Sequence, residues 1–366
     1  MLAIAKHIIT LNDFHLHLTH YGKEPDLPDL LLLHGFLGAG DQFRHLLPEL
    51  SEITNPVTVD IIPDSGLLSS LKSNTYLRAG TGLIPDPNAI SDPNAIPDPN
   101  AISDPNAIPD PNATSDSDPK QDHEPKSEFG SAPRTDPVPK PDFKLEASLL
   151  TAGLQKAIAN FIRPRMFVLG YSMGARLALS WAVQYPDHVS GLLLESGTAG
   201  IADPEARKER RAADAIQAAK IRSDYHAFLE EWERNPLFMV LDRIQSRPHI
   251  LTDACSHLRS IQQRQNPDQM ARWLTDFGTG SMPPLHDELQ NITCPVLLIT
   301  GESDRKFCEI AAEMEPLFPD ACHRTVPQAA HRVHIDAPDA YLSLIQEYLS
   351  DCDQPEKPAT PQSGIL

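Results

Sequence analysis

No run of about 18 apolar residues occurs in this 366-residue chain, so no segment is long enough to cross a bilayer as a helix. Positive charge is scarce. Lys and Arg total 31 against 50 Asp and Glu, a formal net charge of −19. That balance excludes nucleic acid and an anionic membrane surface as expected partners. The five cysteines (Cys255, Cys294, Cys308, Cys322 and Cys352) are odd in number, scattered, and never spaced C-x-x-C. A disulfide framework and a structural zinc site are therefore not expected, and a reduced, cytoplasmic setting is. The first residues, MLAIAKHIITLNDFHLHLTHYG, have no cationic start leading into an apolar core and a small-residue cleavage site. They read as two alternating strands around a turn at Asn12-Asp13. No Walker motif, G-x-G-x-x-G or clustered metal ligands appear, so no cofactor and no metal are expected.

What the chain does contain is a set of short apolar runs separated by helical patterns. Asp29 to His34 (DLLLLH), Val57 to Ile62, Met166 to Leu169, Gly191 to Glu195 and Cys294 to Thr300 have the continuous apolar character of strands buried on both faces of a parallel sheet. A short strand is expected near His323 to Val326. Helices are expected over 41–50, 143–162, 176–185, 307–317 and 338–350. Residues 201–287 are helical in pattern and contain no strand signal. Asp203-Pro204-Glu205 supplies a cap, a first-turn proline and a first-turn acid for the opening helix. Strands alternating with helices predict an α/β fold with a mostly parallel sheet, helices on both faces and an inserted helical lid.

The composition breaks at Pro85, where PDPNAI and SDPNAI units alternate for five repeats. Residues 85–142 hold 14 of the chain's 35 prolines and twelve acidic residues against four basic ones. Proline at such density removes ladder donors, so the tract is expected to be a disordered, polyproline-biased surface insert rather than a β-helix. The chain then divides into a core of residues 1–84, 143–200 and 288–351, the insert 85–142, the lid 201–287, and a flexible tail 352–366.

Chemistry concentrates at Gly170-Tyr171-Ser172-Met173-Gly174, a G-x-S-x-G between a strand and a helix. That context predicts a sharp turn presenting the Ser172 hydroxyl above the sheet, with the helix N-terminus favouring developing negative charge. In the α/β-hydrolase arrangement the acid and the base follow the serine in that order. Asp304 stands just past the strand ending at Thr300, and His331 just past the next strand. Glu302 is the alternative acid and His334 the alternative base. The oxyanion site is expected at the backbone amides of Met173 and of Phe36, in the His34-Gly35-Phe36-Leu37-Gly38 turn.

Together, HGFLG (34–38), GYSMGARLAL (170–179), LLLESGTAGI (192–201), EARKERRAAD (205–214), WERNPLF (232–238), GTG (278–280) and GESDRKF (301–307) make the chain resemble the 2-succinyl-6-hydroxy-2,4-cyclohexadiene-1-carboxylate synthases. These are cofactor-independent lyases of menaquinone biosynthesis with the α/β-hydrolase fold. The resemblance covers most of residues 29–62 and 143–350. It implies a triad of Ser172, Asp304 and His331, with Phe36 and Met173 as oxyanion amides. Arg176, Arg210 and Arg264, with the aromatic Tyr171 and Trp232, are implied to bind a small anionic substrate with several carboxylates. Planar guanidinium forks suit such a ligand, and in an acidic chain they concentrate attraction where it is needed. The implied reaction is elimination of pyruvate, with Ser172 as the proton-abstracting base. The alternative is a serine hydrolase of a carboxylic ester or lactone using the same triad. Two departures stand out: DIIPDSG (60–66) replaces the D-x-x-G-H-G turn of relatives, and Ala330 replaces the usual glycine before the histidine. Whether the chain is a monomer or a homo-oligomer is left open by the sequence.

Overall fold

The computed structural model describes residues 3–11, 14–63, 79–80, 152–155, 158, 162–238 and 248–352. The repeat insert, the turn at Asn12-Asp13, most of the helix expected over 143–162 and the tail beyond 352 lie outside the described residues.

Nine strands form one sheet among the described residues. They are β1 (Ala5–Leu11), β2 (Phe14–His20), β3 (Asp29–Leu33), β4 (Asn55–Pro63), β5 (Ala79–Gly80), β6 (Met166–Tyr171), β7 (Val189–Glu195), β8 (Val296–Gly301) and β9 (Ala321–Val326). Their spatial order is β5-β1-β2-β4-β3-β6-β7-β8-β9. β5, β1, β2 and β4 pair antiparallel, and every pairing from β4 through β9 is parallel. The chain leaves β3 on one side for β4 and returns on the other for β6. A crevice therefore opens at the carboxyl ends of β3 and β6, the place where open α/β sheets bind ligands.

The apolar runs form strands because both sheet faces are covered. Leu31, Leu33, Val168, Leu192, Leu194 and Leu298 enter one core together with Leu177, Ala178 and Trp181 of α2 (Met173–Gln184). Their neighbours Leu30, Leu32, Leu169, Leu193 and Leu297 enter the opposite core, with Leu47 and Leu50 of α1 (Leu47–Ile53) and Tyr341 and Ile345 of the helix Pro338–Cys352. Each fully buried leucine contributes about 1.5–3 kcal/mol.

The helix expected over 41–50 is displaced. A 3₁₀ turn spans Gly40–Phe43, and α1 begins only at Leu47. Pro48 sets the start, because a residue without an N–H fits only the first turn. Likewise α7 (Arg305–Met314) gives way to a 3₁₀ turn at Glu315–Leu317, where Pro316 sits.

Between β7 and β8 runs the helical block, with α3 (Pro204–Ser223), α4 (Tyr225–Glu233), a 3₁₀ turn at Pro236–Phe238, α5 (Pro248–Arg264) and α6 (Pro267–Phe277). Asp203 caps α3 by accepting from the Ala206 N–H at 2.7 Å, Asp224 caps α4 from Ala227, and Asn266 caps α6 from Gln269. Ile221, Phe228, Met270 and Trp273 bury themselves in the same core as α2, which fixes the block over the carboxyl end of β6.

Candidate active site

Ser172 follows directly on β6 and precedes α2. Its backbone is left-handed, φ 52° and ψ −105°, a conformation that costs a serine about 1–3 kcal/mol. The turn is held by its neighbours. The Ser172 N–H donates to the Glu195 carbonyl at 2.8 Å. A Cβ on Gly174 would collide with the Leu33 carbonyl, and one on Gly170 with the Gly174 backbone. The two glycines of G-x-S-x-G thus let β3, β6 and α2 meet closely enough to aim the hydroxyl outward.

The Ser172 hydroxyl lies 3.0 Å from His331 Nε2, and His331 Nδ1 lies 2.6 Å from Asp304 Oδ2. With Nδ1–H donated to the carboxylate, Nε2 is left to accept from serine, the tautomer a general base needs. Asp304 also caps α7, its Oδ1 accepting from the Phe307 N–H at 3.3 Å, so the helix start orients the carboxylate. His331 and Asp304 are both buried. The rings of Phe307, Tyr171 and Phe238 stand 4.5, 5.6 and 5.9 Å from the imidazole and screen it from water. Ala330 carries no positive φ, and its N–H donates to Asp336 at 2.9 Å, so alanine sits there without strain.

The two alternatives are placed elsewhere. Glu302 is exposed and accepts from the Gln328 N–H. His334 is fully buried, with Nδ1 2.8 and 2.9 Å from the two carboxylate oxygens of Glu195. That pair sits behind the site. Glu195 Oε1 also accepts from the His334 N–H while the Glu195 carbonyl holds Ser172, so one residue ties the serine turn to the histidine loop.

A cavity of about 150 Å³ opens over Ser172 and His331. Phe36 and Met173 line it, and Met173 is the first residue of α2, where an N–H has no partner within the helix. The Phe36 loop is braced by His34, whose buried ring donates from Nδ1 to the Gly35 carbonyl at 2.8 Å. Burial holds that imidazole below its usual pKa.

Tyr171, Trp232, Arg176 and Arg210 all line this cavity. Arg176 donates to the Phe277 carbonyl at 2.8 Å and meets Met282 Sδ at 3.3 Å. Burial and the neighbouring Arg210 push its guanidinium down to about 10. Arg210 pairs with Asp214 at 2.8 Å. Burial raises the Tyr171 phenol above its usual pKa, so it stands as a neutral group. Arg264 is placed differently. It lies exposed at the end of α5 and lines a second cavity with His34, Asp60 and Gln265.

Sequence reasoning does not reach Lys306, Arg332, Ser196 or Gln262, all of which line the first cavity. Lys306 and Arg332 had a local signal, standing two residues after Asp304 and one after His331. The WERNPLF segment also acquires a structural role. Asn235 Oδ1 accepts from the Leu237 N–H, and the Leu237 carbonyl accepts from the His331 N–H at 3.3 Å. Arg332 stacks over the Phe238 ring at 3.9 Å. The helical block therefore touches the histidine loop itself.

Among the described residues no group of three or more His, Cys, Asp or Glu is placed to hold a metal ion. No helix among them is long and apolar enough to cross a membrane.

The profile of the serine aminopeptidase S33 family matches residues 150–337. A putative 2-succinyl-6-hydroxy-2,4-cyclohexadiene-1-carboxylate synthase of Bacillus subtilis (strain 168) is 40% identical over 184 residues, covering 50% of this chain and 65% of that protein. The match thus spans just under two thirds of that relative. The synthase of Pectobacterium atrosepticum is 31% identical over 210 residues, covering 57% of this chain and 74% of that one. Among solved structures, MenH from S. aureus superposes with a TM-score of 0.63 at 22% identity, covering 94% of this chain and all of that one, a likeness of fold.

Proposed function

The chain belongs to the 2-succinyl-6-hydroxy-2,4-cyclohexadiene-1-carboxylate synthase family of α/β-hydrolase proteins, and on that premise we propose that it eliminates pyruvate from 2-succinyl-5-enolpyruvyl-6-hydroxy-3-cyclohexene-1-carboxylate. The observation that carries this reading is the pairing of a built Ser172–His331–Asp304 relay with a half-buried Arg176 at the cavity wall, whose side chain donates to the Phe277 carbonyl while the nearby Asp214 carboxylate pairs with Arg210.

His331 Nε2 takes the Ser172 proton, and the alkoxide removes a proton from the substrate ring. The electrons left behind form the new ring double bond and expel the enolpyruvyl oxygen. That oxygen's charge is met by the Phe36 and Met173 amides. His331 returns its proton to the leaving enolate, which tautomerises to pyruvate. Serine ends the cycle protonated, and no acyl-enzyme forms. Asp304 keeps the imidazole in the right tautomer and stabilises the imidazolium. Arg176 and Arg210 hold substrate carboxylates, with Lys306 and Arg332 adding positive charge at the cavity wall. The helical block 201–287 acts as the lid, and the cytoplasm is the setting.

The same serine, base and oxyanion amides would serve acyl transfer, so the test separates the two chemistries. Purified protein is expected to release pyruvate from the enolpyruvyl substrate, turn over p-nitrophenyl acetate poorly, and lose pyruvate release on Ser172→Ala. Efficient ester turnover with no pyruvate formed would assign a hydrolase instead.

A further inference from the structure

Two neutral side chains in the cavity each bury an oxygen that has no partner among the described residues. Ser196 follows β7 at the same sheet edge as Ser172 and is wholly buried, and its Oγ has no hydrogen-bond partner among the described residues. Its backbone is left-handed, φ 48°, and is pinned there by donation from its N–H to the Ile299 carbonyl. Gln262, on α5, is 2% exposed, and its Oε1 is likewise buried without a partner among the described residues. Its main-chain carbonyl accepts from the Tyr225 hydroxyl at 2.7 Å, which fixes this stretch of helix against α4.

Burying a polar atom without a partner is costly, and Ser196 adds the strain of its backbone. Alanine at 196 and methionine at 262 would fill the same space without the unpaired atoms. Groups held at such cost cluster where a ligand satisfies them. Both residues line the cavity that contains Ser172, one from the sheet and one from the helical block.

We propose that Ser196 and Gln262 form a hydroxyl-recognition subsite. The arginines take the ligand's carboxylates, while these two uncharged groups take a ring hydroxyl. The amide oxygen of Gln262 accepts the ligand O–H, and the Ser196 hydroxyl donates to the ligand oxygen. This inference rests on the proposed reaction, whose substrate carries both kinds of group. It adds what the arginines cannot supply, discrimination between a hydroxylated ring and its deoxy counterpart. A site built to hydrogen-bond a hydroxyl rejects the analogue that lacks it, because its own buried groups are then left unpaired.

The test uses the full-length protein, Ser196→Ala and Gln262→Met. Pyruvate release gives KM and kcat. Calorimetry then compares binding of 6-hydroxycyclohexene-1-carboxylate with cyclohexene-1-carboxylate. The wild type is expected to prefer the hydroxylated ligand by about tenfold, and each variant to lose most of that preference. KM for the enolpyruvyl substrate is expected to rise about tenfold, with kcat within about threefold. Ser196→Ala should melt no lower than wild type, since it removes an unpaired hydroxyl, and that result would separate recognition from a structural role. Variants that keep the wild-type preference for the hydroxylated ligand would overturn the subsite, even with pyruvate released normally. Wild-type protein that releases no pyruvate would instead overturn the reaction, and the ligand pair would still decide the subsite.

Discussion

Arg176 lies in the first turn of α2, close to Ser172, with a carbonyl and a thioether for contacts and Arg210 as a charged neighbour. A substrate carboxylate would offset the cost of desolvation and the repulsion from Arg210, so binding and charge are linked at this residue. Arg176→Ala is expected to lower kcat/KM by about 10- to 100-fold, the loss of one charge-assisted hydrogen bond. Arg176→Lys should recover little of it, because an ammonium lacks the planar fork. An Arg176→Ala variant that keeps the wild-type kcat/KM would remove Arg176 from substrate binding. Residues of this kind were partly legible in the sequence. Ser172, Asp304 and His331 each sit at a strand end, and their placement follows from local pattern and chain order. Arg264 did not follow, because which cavity a residue at the end of α5 lines depends on how that helix packs. Ser196 and Gln262 gave no sequence signal at all, since an unpaired buried atom exists only once the neighbours are in place.

At the scale of elements, the serine turn depends on how closely α2 approaches β3. A methyl group on Gly174 would meet the Leu33 carbonyl, and backbone cannot yield as a side-chain tip can. Gly174→Ala is therefore expected to abolish activity and to destabilise the fold by several kcal/mol, seen as lost solubility or a lowered melting temperature. The 3₁₀ turn at Pro236–Phe238 acts more locally. Asn235→Ala removes the side-chain acceptor for Leu237, whose carbonyl holds the His331 N–H. The expected result is a several-fold loss of kcat with a small change in melting temperature. A matched loss in Asp203→Ala would contradict this. That cap serves only the start of α3 and does not line the Ser172 cavity, and its removal should cost about 1 kcal/mol of stability and leave kcat unchanged. Elements were the best-read level of the sequence, since the buried strands announce themselves as apolar runs. Helix bounds were misplaced where proline decided them, a start at Pro48 and an end at Pro316.

For the whole molecule, half-buried histidines shape its response to acid. His20 is pushed down to about 4 by burial and the adjacent His7, and His45 to about 4 by burial and the adjacent His334. Both stay neutral in the folded chain, while unfolded they would take up protons near their ordinary 6.5. As pH falls below about 6.5 the unfolded state binds protons first, so stability is full above that pH and is lost toward pH 4. Melting temperature should fall across that window, and His20→Asn should flatten part of the decline. The proposed reaction depends on this fold in one respect above all: it uses as a base a serine whose local sequence announces a nucleophile, in a cavity lined by Arg176, Arg210, Lys306 and Arg332. The most direct test follows pyruvate release by the wild type and by Ser172→Ala, with the intact protein mass recorded during turnover. Steady pyruvate release by the wild type with no added mass is expected, with a loss of about a thousandfold or more in the variant. A covalent adduct on Ser172 during turnover, or undiminished release by Ser172→Ala, would contradict it.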